Sequence, residues 1–283
     1  MKKEEVNSKN HHNRLIALIT DFGNKDYFVG VMKGVIKQIN PAADMIDISN
    51  EIPSYNLLAA SFTVEQSYRF FPSAAIFLVV VDPGVGTGRK ILLVEYGGRF
   101  FIAPDNGVLT PILDKEEKNV YVLDNENYFL IHGHSTFEGR DKMAPAAAYL
   151  SLGIAPGEMS AHLSGQEFAS HEFILNPDYF PTLSANGIDG RILYIDKFGN
   201  VITNVKADFL ANILESRNDS KFKIKLNGKE IKRFYDTYGH AGTFKEAFML
   251  TGSHQHIEIA ANQQSAASLL DAKIGQKIVI EFY

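Results

Sequence analysis

The sequence predicts two domains: an α/β N-terminal domain with a largely parallel central sheet and a smaller all-β C-terminal domain. From Leu15 to Asp82, apolar runs of strand length alternate with helically spaced apolar residues. This alternation is typical of βαβ units and of a parallel sheet. Beyond about Gly187, the apolar runs have strand length and are separated by polar turns. The length of 283 residues suits two cores better than one.

The N-terminal domain is predicted over residues 15–182, after a disordered tail at residues 1–14. Its first strand, Leu15–Ile19, is followed by a helix that stops at Asn40 and Pro41. The later predicted elements, in order, are strand Met45–Ile48, helix Leu57–Phe70, strand Phe77–Val81, strands Lys90–Val94, Arg99–Ala103 and Asn119–Leu123, and helix Ala146–Leu152.

Two aspartates follow predicted parallel strands. Asp21 comes directly after the first strand, and Asp82 after the strand that begins at Phe77. Ligands of parallel sheets collect at the carboxyl ends of the strands. The sequence therefore predicts a site that contains both carboxylates.

Asp82 opens a glycine-rich loop that reaches Arg89 seven residues later, where the chain can fold back on the carboxylate. A dinucleotide-binding loop is excluded because a strand, not a helix, follows the glycines. A P-loop is excluded because the loop lacks Gly-Lys-Ser/Thr. The alternative to a functional loop is a glycine-rich hairpin with a surface ion pair.

Composition excludes several classes of protein. The net charge is −5 and the pI is about 6.0, which argues against nucleic-acid binding. The chain has no cysteine, hence no disulfide or thiolate metal site, and no apolar run long enough to span a membrane. The first 14 residues are polar and lack the apolar segment of a secretory signal, so a cytoplasmic protein is expected.

The C-terminal domain is predicted over residues 188–283, with Asn227-Gly228 as a hairpin turn. Two of its loops carry groups that can bind a ligand. One contains Asp196, Phe198 and Asn200, and the other contains Ser253 and His254. The alternative for both is a plain turn.

Five motifs in this order resemble the S-adenosylmethionine (SAM) hydroxide adenosyltransferases, relatives of the SAM-dependent halogenating enzymes. The resemblance runs from about Leu15 to the C-terminus, and the motifs are Thr20–Gly23, Val80–Thr87 with Arg89, Pro104–Gly107, Thr136–Asp141 and Phe198–Asn200. It implies a barrel-like C-terminal domain and a homotrimer with the substrate at subunit interfaces. It also implies no metal and no cofactor, because SAM is the substrate.

The resemblance also implies the binding residues. Asp21 accepts hydrogen bonds from the ribose hydroxyls, Asp26 and Asp196 hold the methionine ammonium, and Ser253 holds its carboxylate. The nucleoside contacts and the remaining binding positions are Tyr55, Phe137, Phe198, Asn200, His254 and Asn262. His254 stands where some members of the family have arginine.

The catalytic set implied by the resemblance is Asp82, Arg89 and Glu138. The family has histidine at the third position, so this chain departs from it there. A carboxylate can orient or deprotonate water. The expected reaction is hydrolysis of SAM to adenosine and methionine by attack on ribose C5′. The alternatives are a halogenase on the same scaffold and a binding protein without catalysis.

Overall fold

The structure is a computed structural model that describes residues 14–133, 135–160, 173–185, 187–217, 221–242 and 245–283. The predicted tail lies outside these ranges apart from Arg14. The chain divides into two compact units, Met1–Leu175 and Asn176–Tyr283, which are described separately. In the described ranges, no helix is both long and apolar enough to cross a membrane.

The first unit is built on a six-stranded sheet with the order β2-β1-β3-β5-β4-β6. Strands β1, β2, β3 and β5 pair in parallel, and β4 is antiparallel to both β5 and β6. The prediction of a largely parallel sheet is therefore confirmed. The strands are β1 Ile16–Thr20, β2 Met45–Ser49, β3 Ile76–Val80, β4 Ile91–Tyr96, β5 Arg99–Pro104 and β6 Asn119–Val122.

Four helices lie in the described residues of this unit, and three of them lie close to the predicted ranges. Their bounds are α1 Phe28–Ile39, α2 Leu57–Ser67, α3 Thr110–Leu113 and α4 Ala144–Ser151. The side chain of Asn56 caps α2 by accepting the N–H of Ala59, 2.9 Å away. A short π-helical turn, Gly139–Met143, leads directly into α4.

Strands β1 and β3 are buried on both faces, as expected for central strands of a parallel sheet. On one face, Ile16, Leu18 and Leu78 belong to a core with residues of α1 and α4. On the other face, Phe77 stacks on Phe101 with ring centroids 5.1 Å apart. The buried runs end at Thr20 in β1 and at Val80 in β3, and Asp21 and Asp82 follow shortly after these ends.

The second unit is an antiparallel sheet that nearly closes on itself, with the order β11-β10-β14-β8-β9-β13-β12 and β7 beside β8. Residues on either side of Phe234 join the two ends, since the N–H of Tyr235 donates to the carbonyl of Met249 at 2.9 Å. The barrel-like domain is therefore confirmed. Its strands are β7 Thr182–Ser184, β8 Gly187–Ile195, β9 Val201–Lys206, β10 Phe222–Leu226, β11 Lys229–Ile231, β12 Phe248–Thr251, β13 His256–Ala260 and β14 Lys277–Phe282.

The hairpin turn at Asn227-Gly228 is confirmed, because both residues have positive φ, 51° and 74°. The unit also contains two helices that the sequence analysis did not predict, α5 Ala207–Arg217 and α6 Ala266–Leu270. Only Leu210 of α5 is fully buried. The sheet, rather than these helices, provides most of the buried apolar core.

Candidate active site

A cavity of about 560 Å³ lies in the first unit, beside the carboxyl ends of β1 and β3. Its volume is within the range of small-molecule sites. It is lined by six of the predicted residues, Asp21, Asp26, Tyr55, Asp82, Phe137 and Glu138. The sequence prediction that the aspartates after two strands share one site is therefore in agreement with the structure.

Asp21 is held by the loop that contains Tyr55. Its carboxylate accepts the backbone N–H of Tyr55 at 2.8 Å, and Tyr55 adopts a left-handed φ of 65° with its side chain exposed. Burial raises the pKa of Asp21 above its usual value, and the nearby charge of Asp82 acts in the same direction. Asp21 thus faces the cavity as a half-buried acceptor that titrates at a higher pH than an ordinary aspartate.

Asp82 and Arg89 form a buried ion pair. Nε of Arg89 donates to Oδ1 and Oδ2 of Asp82 at 2.9 and 2.8 Å, and Nη2 also donates to Oδ2. The two side chains are 7% and 8% exposed. The alternative of a surface ion pair in a hairpin is therefore wrong, since β5 also lies between β3 and β4 in the sheet.

The loop between Asp82 and Arg89 turns back at Gly86, which has a left-handed φ of +80°. The backbone N–H of Gly84 donates to Oδ1 of Asp82 at 3.1 Å. Asn106, in the Pro104–Gly107 motif, donates to the carbonyl of Val81 at 3.0 Å. Two neighbouring segments therefore hold the end of β3 and its carboxylate in place.

Glu138 lies between two cations. Its Oε2 accepts Nη2 of Arg89, and its Oε1 accepts Nζ of Lys142 at 2.7 Å. Gly139 allows this approach, because a Cβ there would lie 3.0 Å from Cγ1 of Val80. A Cβ at position 139 would therefore require Val80 or the turn to shift by a few tenths of an ångström.

Arg89 thus bridges two carboxylates through Nε and Nη2, and its Nη1 is not used in these ion pairs. Burial opposes its charge, but the hydrogen bonds and charges of Asp82 and Glu138 raise the pKa of Arg89 above its usual value. Its Nη1 is buried and has no hydrogen-bond partner among the described residues. A buried guanidinium N–H favours an acceptor, and a small oxygen ligand can provide one.

The Thr136–Asp141 motif forms the wall of the cavity next to Glu138. Phe137 packs against Phe22 and Phe28, with ring centroids 5.6 and 5.3 Å apart. Asp141 is buried, which opposes its charge, but hydrogen bonds from Arg140 and Ser135 hold the pKa of Asp141 below its usual value. The motif therefore combines an aromatic wall with a fixed salt bridge.

A second cavity, of about 640 Å³, lies in the second unit and is lined by Asp196, Phe198, Asn200 and Asn262. Asp196 holds its own loop: Oδ1 accepts the N–H groups of Phe198 and Asn200 at 2.9 and 2.8 Å, and Oδ2 accepts the amide of Asn200 at 2.9 Å. This network leaves the ring of Phe198 77% exposed. The loop is thus a well-defined turn that presents an aromatic ring.

Ser253 and His254 are not among the residues that line this cavity. Nε2 of His254 lies 3.0 Å from Oε2 of Glu258, and its Nδ1 accepts the N–H of His256 at 3.2 Å. Both ring nitrogens therefore have protein partners. The prediction that His254 binds substrate stays a prediction, and the structure supplies a structural role for it.

The sequence analysis missed two residues: Tyr238, which lines the second cavity, and Lys142, which pairs with a residue that lines the first. Tyr238 lines the second cavity and donates its hydroxyl to Glu258; burial and this bond raise the pKa of Tyr238 well above its usual value. Lys142 follows Glu138 by four residues, a spacing that could have indicated the pair. No comparable signal marks Tyr238, because its partner is 20 residues away.

Metal ligation was examined over the same parts of the chain. Among the described residues, no group of three or more His, Asp or Glu side chains is arranged to hold a metal ion. The expectation that the reaction needs no metal or cofactor stays a prediction.

Family models match both units of the chain. The model of the SAM hydroxide adenosyltransferase N-terminal domain matches residues 16–160, and that of the C-terminal domain matches residues 190–279. The chain belongs to the SAM hydroxide adenosyltransferase family, as the sequence motifs predicted.

Similar proteins agree with this assignment. The chain is 28% identical to a protein of Thermus thermophilus named (R)-S-adenosyl-L-methionine hydrolase, over 94% of this chain and 98% of the relative. It is 22% identical to a fluorinase of Actinoplanes sp., over 95% and 97% of the two chains. A crystal structure of a Thermotoga maritima protein superposes with a TM-score of 0.81 at 33% identity, covering 94% and 99%.

Replacing Arg89 by methionine tests the buried ion pairs. Arg89→Met leaves the carboxylates of Asp82 and Glu138 without their shared cation, so it should lower the free energy of unfolding by about 3–5 kcal/mol at neutral pH. Lys33→Met is the control, because Lys33 pairs with Asp47 at 2.6 Å near the surface, and it should cost about 0–1 kcal/mol. Equal losses in urea unfolding would contradict the assignment.

Proposed function

We propose that this protein hydrolyses SAM to adenosine and L-methionine, with water or hydroxide attacking C5′ of the ribose. The observation that carries the proposal is Arg89, a buried cation held by two carboxylates whose Nη1 has no partner among the described residues. Arg89 is not itself among the residues that line the cavity, but its partners Asp82 and Glu138 are, so we place the oxygen nucleophile beside this cluster. The Thermus thermophilus relative, named as a hydrolase of this substrate, supports the same reaction.

The charge of the first cavity supports a cationic substrate. Four carboxylates line it, those of Asp21, Asp26, Asp82 and Glu138, and Arg140 is the cation among the lining residues. SAM carries a positive sulfonium, whereas adenosine is neutral. Carboxylates in a concave site attract the sulfonium and have much less affinity for the neutral nucleoside product.

The chemistry makes modest demands on the residues. The water oxygen forms a bond to C5′ while the C5′–S bond breaks. The electron pair of the broken bond stays on sulfur, which leaves as a neutral thioether. No acid is needed for departure, and the water gives up one proton. Asp82 and Glu138 are the carboxylates of the buried cluster that can accept this proton, while holding the nucleophile in line supplies the larger part of the effect, about 7–11 kcal/mol for well-oriented reactants.

The binding roles belong to the same proposal. Asp21 accepts the ribose hydroxyls, Asp26 and Asp196 hold the ammonium, and Ser253 holds the carboxylate. The adenine and the remainder of the ligand are contacted by Tyr55, Phe137, Phe198, Asn200, His254 and Asn262. The half-buried carboxylate of Asp21 supports its role as acceptor of the ribose hydroxyls. The exposed ring of Phe198 supports its contact with the adenine.

A halogenase on this scaffold is less favoured by the charges. Carboxylates outnumber cations among the residues that line the cavity, and a halide 4 Å from an unpaired carboxylate is repelled by roughly 4 kcal/mol at an effective dielectric of 20. The fluorinase relative is also less similar than the hydrolase relative, 22% against 28% identical.

Product analysis decides between these reactions. The purified protein is incubated with SAM, with and without fluoride or chloride, and the nucleosides are separated by chromatography. We expect adenosine and methionine in equal amounts, with or without halide. A 5′-halo nucleoside would replace the proposal by halogenation, and saturable binding without products would replace it by ligand sensing.

The proposal also includes the homotrimer that the resemblance implies and a cytoplasmic location. The proposed ligands of one substrate are distributed over both units of the chain, so each site would take residues from two subunits. Light scattering should therefore give three times the chain mass of 31.5 kDa. A stable monomer with full activity would contradict the shared site.

Asp21→Asn tests the ribose contact. The amide keeps an acceptor for the N–H of Tyr55 but loses the charge that favours two ribose hydroxyls, and hydrogen bonds to a charged group are worth about 1.5–3 kcal/mol. Adenosine affinity, measured by calorimetry, should fall at least tenfold. Because the pKa of Asp21 is raised, wild-type affinity should also weaken as the pH falls through that value, and this dependence should vanish in the variant.

Asp26→Asn is the matched control for this experiment. Asp26 lines the same cavity but is assigned to the methionine ammonium, which adenosine lacks. Its replacement should leave adenosine affinity unchanged and weaken binding of SAM. An equal effect of both variants on adenosine would refute the two assignments.

A further inference from the structure

The carboxylate of Glu138 has a second cationic partner besides Arg89. Nζ of Lys142 lies 2.7 Å from Oε1, and Nη2 of Arg89 donates to Oε2. The side chains of Glu138 and Lys142 are 7% and 17% exposed, so the pair is shielded from solvent. Pairs at this depth are screened by water much less than exposed ones.

Arg89 alone cannot neutralise both buried carboxylates, so the charge of Lys142 is also needed. One guanidinium faces two carboxylates, and Asp82 takes both its Nε and a share of Nη2. Without Lys142, this buried cluster would carry a net negative charge. With Lys142, the four side chains Asp82, Arg89, Glu138 and Lys142 are neutral together.

The other charged groups of the cavity do not replace Lys142. Arg140 donates Nε and Nη2 to the two oxygens of Asp141 at 2.6 and 2.8 Å, and it is committed to that carboxylate. The remaining titratable groups that line the cavity around Glu138 are Asp21, Asp26, Tyr27, Tyr55 and Asp82. None of these is a cation, so none can neutralise Glu138 in place of Lys142.

The backbone turn brings Lys142 to the carboxylate. Glu138 directly precedes the π-helical turn, whose closing bond runs from the N–H of Ala144 to the carbonyl of Gly139. Lys142 lies four residues after Glu138, with its ammonium 5.9 Å from the ring centroid of Phe129. It is not among the residues that line the cavity, so it acts through Glu138.

We propose that Lys142 is a positioning residue for the hydrolysis put forward above, on which this inference rests. Its ammonium neutralises the Glu138 carboxylate and keeps it turned toward Arg89. In that arrangement Asp82 and Glu138 together fix the plane of the guanidinium and the direction of its Nη1. Without the ammonium the buried cluster is left with a net negative charge, and the Glu138 carboxylate is no longer held against Arg89.

The test is the division of the effect between kcat and KM. Lys142→Met should lower kcat at least tenfold, the rate effect of losing one charge-assisted hydrogen bond that positions the cluster. KM should change little, since Lys142 does not line the cavity. Lys142→Arg, which keeps the charge, should restore the wild-type kcat, and the surface control Lys33→Met should leave it unchanged.

A second background shows whether Lys142 acts through Glu138. Glu138→Gln removes the carboxylate charge that Lys142 pairs with, so adding Lys142→Met to it should lower kcat no further. An unchanged kcat in Lys142→Met alone, or an equal further loss beside Glu138→Gln, would overturn the proposal.

Failure of the hydrolysis itself gives a different result. A wild-type protein that forms no adenosine would overturn the proposed function, and the role of Lys142 in turnover with it. Thermal melts would still measure the pair: Lys142→Met should lower Tm in the wild-type background and much less beside Glu138→Gln. Equal losses in the two backgrounds would show that Lys142 does not act on Glu138.

Discussion

The site depends on the burial of one guanidinium group. Arg89 is 7% exposed, and a cation at that depth is stable only with carboxylates and good geometry around it. Asp82 and Glu138 meet this need from two distant segments, the end of β3 and the turn before α4. The pairing thereby ties the glycine-rich loop to the Thr136–Asp141 motif, and it leaves Nη1 as the donor for which the protein offers no acceptor in the described residues.

The same electrostatics explains how a site with several buried carboxylates remains stable and selective. Two cations, Arg89 and Lys142, neutralise Asp82 and Glu138, while Asp21 and Asp26 stay available to a cationic ligand. A substrate that brings a sulfonium and an ammonium completes the charge balance. Departure of a neutral thioether removes the sulfonium charge, which weakens the hold of the cavity on the nucleoside.

The sequence predicted the parts of the fold that depend on local pattern. Buried apolar runs predicted β1 and β3, and Asn227-Gly228 predicted its hairpin because two adjacent residues need positive φ. The insertion of β5 between β3 and β4 was not predictable, since strand order depends on pairing between distant segments. The four-residue spacing of Glu138 and Lys142 was a signal for their salt bridge that the sequence analysis did not use, whereas the π-helical turn between them was not predictable from spacing.

Isotope labelling tests the central claim most directly, that an oxygen nucleophile held at Arg89 attacks C5′ of SAM. The reaction is run in H₂¹⁸O for a single turnover, and both products are examined by mass spectrometry. Our account predicts one ¹⁸O in adenosine, on the 5′ carbon, and none in methionine. Label in an amino-acid product, or a nucleoside that retains sulfur, would place bond cleavage elsewhere and contradict the account.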